Sequence, residues 1–165
     1  MPRSIVIVLQ VLVAGAFAAG LFAQFVVIPA TAAGEVALFP PYESVRVPLV
    51  TAAIVFIACF QVALVGVWAL LHRAGKGAVF EHGALAWANV TIGALFAAAV
   101  VLAGLFVYVT FADIPSPSDG MEVIGLWLGS AVGTLAAIGA VLLLFVGRHL
   151  LSKAIVLRSE MDEVV

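Results

Sequence analysis

Four runs of this chain, Ser4 to Ile28, Val47 to Leu71, Ala84 to Phe111 and Met121 to Gly147, are apolar with almost no interruption. Polar and apolar positions do not alternate along them, which argues against strands, and an open sheet would leave its edge N–H and C=O groups unpaired in lipid. Each run reaches or exceeds the ~20 residues a helix needs to cross a ~30 Å hydrocarbon core. The pattern predicts an all-α integral membrane protein. It is a single domain, 1–165, built as a four-helix transmembrane bundle with connections at 29–46, 72–83 and 112–120 and a tail at 148–165.

Composition agrees with that class. Hydrophobic residues make up 65% of the chain and charged residues 10%, and the mean hydropathy is +1.30, outside the range of soluble domains. The first run follows Pro2-Arg3 and passes Ala16-Phe17-Ala18, as a secretory signal would. A signal core is only ~7–15 residues long, however, and this run continues to Ile28, so it reads as a retained span.

Charge orients the spans. Of the 7 Lys and Arg residues, Arg3, Arg73, Lys76, Arg148, Lys153 and Arg158 fall on one side of the threaded membrane and only Arg46 on the other. Basic residues are retained in the cytoplasm during insertion, so both termini are expected there. Glu35, Glu43, Asp113, Asp119 and Glu122 lie outside or at the outer edge, leaving that face at −4 and the inner face at +2. A basic inner face also suits anionic membrane lipids as partners.

No Asp, Glu, Lys, Arg or His occurs deeper than a helix end, although buried ionisable groups are what ion-coupled transporters and proton relays require. The polar residues within the spans are amides and hydroxyls. Gln10 and Asn89 lie near the inner ends of the first and third spans. Gln61 falls level with Thr134, and Gln24 with Thr51. These levels predict interhelical hydrogen bonds that hold the bundle together, ahead of a polar permeation path. Gly125, Gly129 and Gly133 recur every fourth residue in the last span, a spacing that lets another backbone approach closely. The expected visitor is within the chain, with Gly15 and Ala19 of the first span as candidates; a second copy, giving a homo-oligomer, is the alternative.

The last span does not stop at the membrane, because Arg148 to Val165 contains no Gly or Pro. Leu150, Ala154, Leu157, Met161 and Val164 gather on one seam at 4-3-4-3 spacing, predicting a helical extension that docks on the 72–83 loop, on the membrane or on a partner. Its acidic close, Glu160 with Asp162 and Glu163, opposes the helix dipole unless basic groups meet it, and Arg73 and Lys76 are nearest by topology. Together with Phe80 and Arg158 these form the candidate interaction residues.

Other chemistry is sparse. Cys59 stands alone within the second span. His72, His82 and His149 share the inner side at no metal-binding spacing. Gly75-Lys76-Gly77 lacks the form of a phosphate loop. Asp113, Asp119 and Glu122 read as a solvated acidic loop before a cation site. Leu38-Phe39-Pro40-Pro41-Tyr42 reads as an interfacial aromatic anchor before a ligand-gripping loop. No catalytic residue, metal or cofactor is expected, so the chain does not read as an enzyme.

Gly77-Ala78-Val79-Phe80-Glu81-His82, Ile92-Gly93 and the ending Leu157-Arg158-Ser159-Glu160-Met161-Asp162-Glu163-Val164 resemble the bacterial four-helix membrane proteins grouped as domain of unknown function 2975. Phe25 to Pro29 and Leu38-Phe39-Pro40 are similar to its actinobacterial members. The family has no assigned activity. The resemblance implies a membrane component whose cytoplasmic face contacts a small helix-turn-helix regulator, without itself binding nucleic acid. The functional expectation is therefore an interaction or regulatory protein acting through that face, with a helix-turn-helix regulator or another membrane protein as partner. The alternative is a small transporter or channel lined by Gln10, Gln61, Asn89 and Thr134.

Overall fold

The computed structural model describes the backbone of residues 3–75, 82–117 and 120–162. Helix α1 spans Arg3–Phe22, widens into a π-helical turn at Ala23–Val27 and continues directly as α2, Ile28–Leu38. After a 3-10 turn at Pro40–Tyr42 come α3, Glu43–Gly75; α4, His82–Phe111; and α5, Met121–Asp162. Four helical stretches are long and apolar enough to cross a membrane, Ser4–Leu38, Pro40–Arg73, Leu85–Phe111 and Met121–Ala154. There is no strand among the described residues.

The region 29–46, expected as a connection, is mostly helix, and the true reversal occupies only Phe39 to Tyr42. Three prolines explain both outcomes. In a regular α-helix the Pro29 ring would press on the Phe25 carbonyl and offer it no N–H. The π turn accommodates this, with the Ile28 N–H bonding to the Ala23 carbonyl, one residue further back than in an α-helix. Pro40 acts differently. It forces the preceding Phe39 into extended geometry, φ −139° and ψ 91°, which ends α2. Pro40 and Pro41 then begin the 3-10 turn, where a missing N–H costs nothing. At the last reversal Gly120 has φ +78°, a left-handed conformation that side chains disfavour, and its carbonyl accepts the Ile124 N–H at 3.0 Å to start α5.

The helices pack side by side in the order α1, α3, α4, α5. Antiparallel registers follow from individual contacts. Between α1 and α3, the Cα of Gly75 faces Val6, the Gln61 carboxamide meets the Phe17 carbonyl, and Gln24 meets Ile54. Between α3 and α4, Gly66 faces Thr91 and Arg73 covers Gly83. Between α4 and α5, Leu102 packs on Gly133, and Phe106 and Thr110 meet Trp127. Among the described residues α1 and α5 make no close backbone approach. Helix α4 is therefore flanked on both sides, and its buried Ala94, Ala98 and Ala99 let its neighbours come close. Exposed Phe25, Phe96, Leu135 and Leu143 cover the outer surfaces, an arrangement suited to a hydrocarbon surrounding.

Candidate functional site

Several polar residues of the spans bond to backbone carbonyls. Gln24, buried in the π turn, donates its Nε2–H to the Ile54 carbonyl of α3 at 3.1 Å. Gln61, also buried, donates to the Phe17 carbonyl of α1 at the longer distance of 3.5 Å. Both bonds are interhelical, but neither partner is the side chain expected from depth. Thr51 is exposed, and Thr134 donates to the Ser130 carbonyl of its own helix at 2.7 Å. Asn89 is exposed and Gln10 half-buried, and neither bonds to another helix among the described residues. Gln10, Gln61, Asn89 and Thr134 thus share no hydrogen bond with one another among the described residues. A short hydroxyl can satisfy itself on the preceding turn, whereas the longer Gln side chain reaches a neighbouring helix.

The glycine spacing of α5 is only partly used. A Cβ at Gly133 would meet Leu102 Cδ1 at 3.2 Å, but Gly125 and Gly129 have nothing within that reach. The expected approach of α1 to this groove does not occur, and Gly15 also faces open space. The glycine that α1 itself contributes to its contact with α3 is Gly20, whose missing Cβ leaves room for Gln61 Nε2.

At the end where α1 begins and α5 finishes, Arg73 is half-buried with its guanidinium against Gly83, leaving no space there for a side chain. Helix α5 passes this level and continues to Asp162. Its 42 residues extend roughly 63 Å, about twice a hydrocarbon core. Leu150 on the seam is 61% exposed, and Lys153 and His149 are exposed too, while Arg148 Nε is buried with no hydrogen-bond partner among the described residues. Arg158, Glu160 and Asp162 occupy helical positions but their side chains are outside the described set. Lys76, Phe80 and Glu163 lie outside the described residues, as does Asp119.

The opposite end holds a feature missed by sequence reasoning. A cavity of about 610 Å³ opens between α2, α3 and the first turns of α5. Val27, Val36, Val50, Ala53 and Leu126 give it apolar walls, whereas Glu35, Tyr42, Arg46 and Glu122 supply its polar groups. Tyr42 donates its phenolic hydrogen to Glu122 Oε2, and Phe39 packs edge-on against the Tyr42 ring at 5.0 Å. Arg46 pairs with Glu43, Nη1 to Oε2 at 3.3 Å. Below the cavity, the Gln24–Ile54 bond holds the π turn against α3. The acidic character of this end was legible in sequence, but the convergence of Glu35 and Glu122, 87 positions apart, depends on how α2 packs on α3 while the first turn of α5 reaches the same cavity from beyond α4.

No curated protein and no solved structure matches the chain. A family model described as a protein of unknown function, DUF2975, matches residues 30–165, from early in α2 through all later helices and leaving α1 outside. That match covers well over half of the sequence, and the chain belongs to the DUF2975 family.

Proposed function

We propose that this protein is a non-enzymatic interaction or regulatory component of the bacterial plasma membrane, with both termini cytoplasmic, that docks a partner on its cytoplasmic face. The observation that carries this reading is the length of α5. Residues 121–147 already provide about 40 Å of helix, so the 15 residues from Arg148 to Asp162 add roughly 22 Å beyond the apolar span. A helix that continues past the last span with Leu150 exposed offers an apolar side chain between charged positions, which suits a helix-in-groove contact. The partners favoured by the family resemblance are a helix-turn-helix regulator or another membrane protein.

The test compares full-length tagged protein with a variant lacking 158–165, each purified from native membranes. The truncated chain should keep its thermal unfolding profile and lose its co-purifying partner. An identical set of co-purifying proteins would refute the proposal, and so would a full-length chain that retains no partner under cross-linking.

A further inference from the structure

We propose that the cavity between α2, α3 and the start of α5 binds a single-chain amphiphile bearing a primary ammonium group, with its hydrocarbon body between the helices and its head at Glu35 and Glu122. The cavity has the two-part chemistry such a molecule needs. At about 610 Å³ it falls within the range of small-molecule sites. Its polarity is segregated along the helix axes. From Glu43 at the turn to Ala53 on the wall, α3 descends about 15 Å. The carboxylates lie towards the turn, whereas Val27, Val50 and Ala53 lie deeper.

Charge selects the head group. Arg46 pairs with Glu43, whereas Glu35 and Glu122 form no ion pair among the described residues and place two exposed carboxylates at the rim of the apolar space. Only one of their four carboxylate oxygens, Glu122 Oε2, accepts a hydrogen bond among the described residues. A primary ammonium brings three N–H donors and a positive charge to the remaining oxygens. An anionic head would be repelled, and a neutral chain would leave both acids unmatched. A two-chain phospholipid carries a phosphate that meets the same repulsion.

The space is propped open before any ligand arrives. The Tyr42–Glu122 bond ties α5 to the turn at one end, and the Gln24–Ile54 bond anchors the π turn at the other. Such preorganisation lowers the ordering cost of binding. The site lies at the opposite end from the proposed docking helix and does not rest on that reading.

The experiment is calorimetric titration of the full-length protein in phosphatidylcholine nanodiscs with dodecylamine near neutral pH, against empty discs. Saturable binding at one molecule per chain is expected, with dodecanol and dodecyl sulfate weaker by at least about tenfold. The paired substitution Glu35→Gln and Glu122→Gln should weaken dodecylamine by a similar factor without improving dodecanol. Ala53→Trp, which fills the space and leaves the rim intact, should abolish binding; it keeps the test decisive if the paired variant does not fold. Dodecylamine uptake no greater than in empty discs overturns the proposal, as does equal affinity for dodecanol or indifference to Ala53→Trp. Loss of dodecylamine binding in discs rich in phosphatidylethanolamine would assign the cavity to the bilayer's own zwitterionic lipid, and also overturns it.

Discussion

Tyr42 donates a hydrogen bond to Glu122 across 80 residues of chain, joining the turn between α2 and α3 to the first turn of α5. Because the helices pack in the order α1, α3, α4, α5, this bond reaches past α4. It fixes the distance between two elements that otherwise meet only around the cavity.

Removing the phenolic hydroxyl should therefore loosen that end alone. Tyr42→Phe keeps the ring against Phe39 and should cost about 0.5–1.5 kcal/mol in reversible unfolding in mild detergent. Hydrogen exchange should rise at the start of α5 and stay unchanged at Gln61. Uniform loss of protection over all helices would contradict a local role.

The two interhelical amides should differ in weight. Gln24→Leu removes a 3.1 Å bond and Gln61→Leu a 3.5 Å one, so the first should cost more within the ~0.6–2 kcal/mol range of such contacts. Steric-trapping unfolding measurements on both variants give the order, and a larger loss at Gln61 would reverse it.

Gly66 lets α3 and α4 approach closely. A Cβ there falls on the Thr91 hydroxyl, which itself donates to the Trp87 carbonyl at 3.0 Å. Gly66→Ala should destabilise by ~1–3 kcal/mol through overpacking. Adding Thr91→Ala should restore most of this, and adding Thr91→Ser, which keeps the hydroxyl, should not. Gly129→Ala faces open space in the monomer and should change stability by no more than ~0.5 kcal/mol.

Orientation can be read by labelling. In a Cys59→Ser background, Glu43→Cys should react with an impermeant maleimide on intact cells, and Lys153→Cys only after permeabilisation, as the basic bias at the terminal end requires. The reverse pattern would invert the proposed topology and move the α5 extension outside.

The sequence by itself determined the class, the four spans and their charge asymmetry. Hydropathy and charge act residue by residue against the solvent, so they survive in a linear reading of Ser4 to Gly147. It also indicated that Gln24 and Gln61 sit where a polar group needs a partner. Tertiary structure decided which partner. In lipid an apolar helix gains little from hiding one apolar face before another, so helix neighbours are selected by close steric fit, as at Gly20, Gly66 and Gly133. The regular spacing of Gly125, Gly129 and Gly133 could not reveal that only the last would be covered. Nor could local patterning show that Pro29 would be absorbed by a π turn instead of ending the helix. Only the packed helices bring Glu35, Tyr42 and Glu122 around one cavity, because that depends on distances between segments nearly ninety positions apart.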